Sequence, residues 1–187
     1  PPINMQVSSW IAADFLLVGS LLSQGRPMIV DPTHTPATVD SINLKTYFVS
    51  ISPDRRWIAY QAPGVTGVQL QPWPALDRRY LVDADGTEPR WASNSELVYL
   101  SQYRSEGVIA ASIYRTRIDP NSSSPVGSKE LIARDPRFAD TPGWSLATTT
   151  GGDVIYLQSP SENLGAYLRV IPDWVRQMKR AVDAANR

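Results

Sequence analysis

The chain contains no cysteine and only one histidine in 187 residues. The first absence removes disulfide frameworks, thiol nucleophiles and cysteine-bound zinc together, and leaves the compartment open. The second leaves His34 as the sole imidazole for hydrolase chemistry of the Ser-His-Asp kind. His34 lies in a proline-flanked stretch, Asp31 to Ala37 (DPTHTPA), and no Gly-x-Ser-x-Gly elbow occurs anywhere. It is expected to be a surface-loop residue, and no catalytic set is expected. A zinc site built on one histidine would need carboxylates for its remaining ligands, so no metal is expected either.

Long apolar runs are also missing. The most apolar stretch, Phe15 to Leu22, covers eight residues, whereas a membrane-spanning helix needs about 20. No transmembrane segment is expected. Eighteen basic and eighteen acidic residues cancel, so no global field steers the chain toward nucleic acid, and partners must be selected by local surface. The arginine doublets Arg55-Arg56 and Arg78-Arg79 are isolated in sequence and read as solvated turns or ion-pair partners. No glycine-rich phosphate loop is present: Gly64, Gly67 and Gly151-Gly152 read as hairpin material, and a kinase's lysine and catalytic-loop motifs are lacking. No cofactor is expected.

What is present is a repeat. Four segments share one rhythm: a short strand ending in a large apolar anchor, a polar turn, then a strand of β-branched and aromatic residues. The anchors Trp10, Ile51, Trp91 and Trp144 are separated by 41, 40 and 53 residues, and lead to Phe15–Val18, Trp57–Tyr60, Leu97–Leu100 and Val154–Leu157. Third strands are expected at Pro27–Val30, Val65–Gln71, Ile109–Ile118 and Ala166–Ile171. Within them Gln69, Gln71, Arg115 and Arg117 alternate with apolar neighbours, as a half-buried strand requires. In the turn after Ile51, Pro53 supplies the fixed φ of a type I turn and Asp54 a side chain that can cap the backbone.

A spacing near 40 residues with about four strands per unit fits radial blades better than helical repeats, which would show a 3.6-residue period. That period occurs only near the end. Trp174, Val175, Met178 and Val182 fall at helical spacing after Pro172, so one amphipathic helix is expected over about 173–186. The fold expected is therefore all-β: a single β-propeller or partial propeller of about four blades spanning 1–187, with a short C-terminal helix. Whether four blades close a ring or form an open arc stays open at this point.

The residues Ile51 to Tyr60 (ISPDRRWIAY), Val68 to Pro74 (VQLQPWP) and Asp83 to Trp91 (DADGTEPRW) resemble the TolB-like, WD-like β-propeller repeats of bacteria. Propeller regions of that kind are fused to some bacterial serine/threonine kinases. In that family's "SPDG" turn a glycine is usual where this chain has Arg55. Leu168 to Lys179 is similar to the closing strand and short helix of the kinase-linked members. Residues 1–44 match in repeat rhythm alone. The resemblance implies a propeller scaffold, and the degraded turns of the first, third and fourth units fit one kept for contacts.

Asp83 to Glu88 (DADGTE) also resembles the opening of a calcium loop, but position twelve is Asn94 rather than glutamate, and a connecting turn explains the run. Asp85 and Glu88 have no flanking features of an acid–base pocket. Trp10, Trp91 and Trp144 are expected between blades, where flat rings bury much area. Trp73, flanked by Pro72 and Pro74 past a strand end, is the candidate exposed anchor for a protein partner, with Trp174 and Met178 of the helix as further candidates.

The function expected is that of a non-catalytic scaffold or accessory subunit. It would bind other protein subunits on the extracytoplasmic face of a larger assembly, such as a respiratory or photosynthetic membrane complex. A start at Pro1-Pro2 fits export with leader removal, to the periplasm or outside the cell, or a piece of a longer polypeptide. Two alternatives are a ligand-sensing ectodomain of a kinase or transporter system and a propeller gating domain of a peptidase.

Overall fold

Short runs of β-branched and aromatic residues, broken by turns rich in proline, glycine and aspartate, pair with their immediate sequence neighbours throughout the described residues. The structure, a computed structural model, describes residues 6–11, 15–19, 26–31, 33–105, 108–134, 145–149 and 151–157, of which 6–11, 15–19, 102–105 and 108–111 are described as backbone.

A first sheet holds β1 (Gln6–Ile11), β2 (Phe15–Gly19), β3 (Met28–Asp31) and β4 (Thr38–Ser41) in that order. A second holds β5 (Val49–Ile51), β6 (Trp57–Tyr60), β7 (Val68–Pro72) and β8 (Tyr80–Asp83). A third holds β9 (Gly86–Trp91), β10 (Glu96–Ser105), β11 (Val108–Ile118) and β12 (Val126–Arg134), and a two-stranded sheet pairs β13 (Leu146–Thr148) with β14 (Val154–Tyr156). Every pairing is antiparallel and between consecutive strands, and no helix occurs among the described residues.

Strands β6, β7 and β10 are buried on both faces over their described side chains. In β6, Trp57 and Ala59 join Trp91, Leu97, Tyr99 and Ile118 of the third sheet, while Ile58 and Tyr60 point the other way and join Ile42, Val49 and Ile51, with Ile29 of the first sheet packed on them. In β10 the alternation repeats: Leu97 and Tyr99 face the second sheet, and Val98 and Leu100 face Leu146 of the last. Period-2 side-chain geometry makes each middle strand the shared wall of two cores. Each fully buried aliphatic side chain contributes about 1.5–3 kcal/mol relative to exposure, so neighbouring sheets stabilise one another. The first strands of successive sheets, β1, β5, β9 and β13, contact one another in turn. The sheets thus stand side by side with their first strands adjacent, an all-β arrangement consistent with a partial propeller.

Polar bonds also cross between sheets. Trp91 Nε1–H donates to the Ser50 carbonyl at 3.1 Å, and Thr148 Oγ1–H donates to the Trp91 carbonyl at 2.8 Å. The recurrence near 41 positions, visible as anchors in the sequence, is here a physical bond from one first strand to the next. Lys129 Nζ meets Asp83 Oδ2 at 3.0 Å, joining outer strand β12 to the end of β8, and lies 5.0 Å from the Tyr114 ring centroid.

The turn from β5 to β6 carries out what its residues predict. Arg55 N–H donates to the Ser52 carbonyl at 2.9 Å, Asp54 Oδ1 accepts from the Ser52 hydroxyl at 2.6 Å and from Arg56 N–H at 3.2 Å, and Ser52 Oγ accepts from Trp57 N–H at 3.0 Å. Arg55 has φ of +59°, the left-handed conformation that glycine adopts without steric cost. Gly67 is required for space as well: a Cβ there would stand 1.9 Å from the Asp83 carbonyl oxygen.

Two expectations need correction. Gln69 and Gln71 were expected on the solvated side of a half-buried strand, yet both are buried, because β7 is covered on two faces and each amide finds a backbone carbonyl. Among the third strands, β3, β7 and β11 occur as expected, β7 beginning later because Val65 belongs to the preceding turn. Trp144, Ala166–Ile171 and the helix expected over 173–186 lie outside the described residues.

Trp91→Phe removes the inter-sheet donor, while the Ser50 carbonyl keeps its place in the β5–β6 ladder, and should lower unfolding stability by about 1 kcal/mol in urea titration. Tyr99→Phe is the contrasting case. Its hydroxyl is buried beside the Asp83 carboxylate with no hydrogen-bond partner among the described residues, so its removal should cost less than about 0.5 kcal/mol or raise stability. Arg55→Gly should stabilise by about 0.5 kcal/mol, the relief of left-handed backbone exceeding glycine's greater unfolded freedom.

Candidate functional site

Strands β6 and β8 both run antiparallel to β7, so the segments entering them lie at one end of the second sheet. Those segments carry Arg55-Arg56 and Arg78-Arg79. Between them and the β11–β12 loop of the third sheet is a groove of about 400 Å³ lined by Arg56, Trp57, Trp73, Asp77, Arg78 and Tyr80, with Pro120 and Ser122 on the far wall.

The groove is held by buried polar groups beneath it. Gln71 accepts from the Tyr60 hydroxyl and donates Nε2–H to the Leu76 carbonyl at 3.0 Å, tying the β7–β8 loop to the sheet. Burial pushes the Tyr60 phenol up, with the Arg79 charge opposing, which keeps that hydroxyl a donor at neutral pH. Trp73 N–H donates to the Arg56 carbonyl at 2.8 Å, coupling the two arginine-bearing segments. The Trp73–Pro74 peptide is cis. On the far wall Asp119 Oδ1 accepts from Asn121 N–H at 2.9 Å, closing the turn that presents Pro120 and Ser122.

Trp73 was expected to be an exposed anchor. It is half-buried, packing against the core shared by the first two sheets while lining the groove. Trp57 and Tyr80 meet edge to face at 6.3 Å beside it, and Trp57 Nε1 is buried without a hydrogen-bond partner among the described residues. Arg56 and Arg78 are exposed, and no salt bridge among the described residues engages either. Trp174 and Met178, the other two candidates, lie outside the described residues.

The doublets that look isolated in sequence are thus brought to one rim. The signal was available: each doublet shortly precedes a strand, and the two strands are one apart in a meander, which puts both at the same end.

The remaining chemical candidates have other geometries. His34 is exposed, and its Nδ1 lies 3.0 Å from Asp31 Oδ2 and 3.3 Å from Thr33 Oγ1. A catalytic triad uses opposite ring nitrogens for carboxylate and hydroxyl; here one nitrogen faces both. The Thr33 hydroxyl itself donates to Asp31 Oδ1 at 2.6 Å, and this bond and the Thr33 N–H hold the Asp31 carboxyl below its ordinary value. Asp83 pairs with Lys129 and accepts from Asp85 N–H, while Asp85 is exposed and Glu88 is 1% exposed in a different contact. Asp83, Asp85 and Glu88 therefore do not converge, and no cluster of three or more metal-ligating side chains occurs among the described residues.

Glu88 and Arg90 are the pair that sequence reasoning missed. Glu88 Oε2 accepts from Ser145 N–H at 3.2 Å, and Arg90 Nε–H donates to the Leu146 carbonyl at 3.2 Å, so both side chains bind the backbone at the start of β13. Burial pushes the Arg90 guanidinium below its ordinary value, and the Glu88 charge opposes the shift. Glu88 has φ of +50° and sits at a register shift between β9 and β10, which turns its side chain inward. This pair fastens sheets together.

No protein-family model and no curated protein matches the sequence. Among solved structures the chain is similar to the uncomplexed acylaminoacyl peptidase of Pyrococcus horikoshii, at 14% identity and a TM-score of 0.38, over 64% of this chain and 23% of the peptidase. It is likewise similar to the orthorhombic crystal form of that peptidase, at 15% identity and a TM-score of 0.39, over 66% of this chain and 23% of the other.

Proposed function

We propose that this chain is a non-catalytic binding module: a scaffold or accessory subunit of TolB-like, WD-like propeller type that docks on other protein subunits. Its setting is the extracytoplasmic face of a larger assembly, a respiratory or photosynthetic membrane complex being the kind that fits. One observation carries the reading. The buried polar side chains Glu88, Arg90, Asp83 and Trp91 are committed to joining sheets, whereas the aromatic and cationic side chains presented together by loops line an open groove. Protein interfaces are enriched in tryptophan, tyrosine and arginine, which combine large contact area with directional hydrogen bonding.

Among the described residues no helix is long and apolar enough to cross a membrane. A ligand-sensing ectodomain is the second reading, favoured by the groove's volume of about 400 Å³, within the range of small-molecule sites.

Affinity purification of the chain from solubilised membranes of its source should recover a protein partner in fixed ratio, lost when an extracytoplasmic protease trims the membrane surface beforehand. A monodisperse monomer recovered alone from the cytosolic fraction would overturn the proposal.

A further inference from the structure

We propose that the groove between the second and third sheets receives an extended acidic, proline-containing segment of a partner protein. This deepens the binding-module reading and rests on it. Two arginines that no salt bridge among the described residues engages, Arg56 and Arg78, stand on the rim, opposed inside the groove by the carboxylate of Asp77. Arg55 and Arg79 lie beside them in the chain, and Arg79 is close enough to Tyr60 to shift its phenol. With Asp54 on the Arg56 turn and Asp119 on the far wall counted beside Asp77, four arginines stand against three carboxylates, a small positive excess on a chain whose net charge is zero. That patch selects carboxylates locally, since guanidinium groups bind them through paired N–H donors.

The walls specify the rest of the occupant. Trp57, Trp73 and Tyr80 offer flat apolar surface beside Pro72 and Pro120, and aromatic-lined grooves accept proline segments because their extended helix is pre-formed and loses little entropy on binding. The occupant is an extended strand with carboxylates directed to the rim and prolines against the indoles.

The test is fluorescence anisotropy on the whole chain with a fluorescein-labelled peptide alternating glutamate and proline. A peptide alternating glutamine and proline is the control. The acidic peptide should bind at physiological ionic strength and be released at about 1 M salt, where the screening length falls to about 3 Å. Arg56→Gln and Arg78→Gln should each weaken it about tenfold, the scale of one lost charge-assisted hydrogen bond. Both variants should melt with the wild type, since the turn bonds at Arg56 are made by its backbone.

Equal binding of both peptides, no binding of the acidic one, or indifference to both substitutions would overturn the proposal. Displacement by inorganic phosphate at the same concentration as acidic peptide would also overturn it, assigning the arginines to a small-anion site. If the acidic peptide fails while the chain still co-purifies with a protein partner, the groove assignment falls alone. If both fail, the binding-module reading falls with it.

Discussion

The structure depends on strands β6 and β10 being buried on both faces by neighbouring sheets. Four short strands offer too little apolar area to stand alone, and a solitary meander would leave one face of Trp57–Tyr60 or Leu97–Leu100 in water. Placing sheets side by side removes that exposure in the second and third sheets. It also explains why the large anchors recur at nearly constant spacing, each first strand having to meet the one before it.

Such stacking leaves a polar problem. Backbone groups of successive first strands are buried against one another, and a buried unpaired carbonyl or amide costs on the order of 1–3 kcal/mol. Trp91, Thr148, Glu88 and Arg90 supply hydrogen bonds to that backbone across sheet boundaries. Charged side chains inside a protein usually invite a catalytic explanation. Here their hydrogen bonds end on the neighbouring backbone, and the left-handed φ at Glu88 is the local distortion that aims one of them.

The same constraint separates structural from functional surface. Inner and middle strands are consumed by packing, so variation is tolerated in the loops at the sheet ends, where Arg56, Trp73 and Arg78 are presented. Gln71 and Tyr60 link the two regimes, because a buried amide and phenol brace the loop that carries Trp73. A rigid support beneath an open groove limits the entropy lost when a segment binds.

The sequence by itself determined the strand content, the repeat near 40 residues and the β5–β6 turn, because these rest on local rules: period-2 alternation, proline's fixed φ and the capping reach of a short acid. His34 as a loop residue was legible for the same reason. Tertiary structure alone decided which polar residues became internal. Gln69, Gln71 and Glu88 carry no local sign of burial until neighbouring sheets cover them, and the partners that make the burial of these three and of Arg90 tolerable lie three to fifty-seven positions away. It also decided that Trp73 is half-buried and that two distant arginine doublets share one rim. Local patterns report a residue's own backbone, whereas burial and charge convergence belong to pairs of segments whose proximity exists once the sheets have stacked.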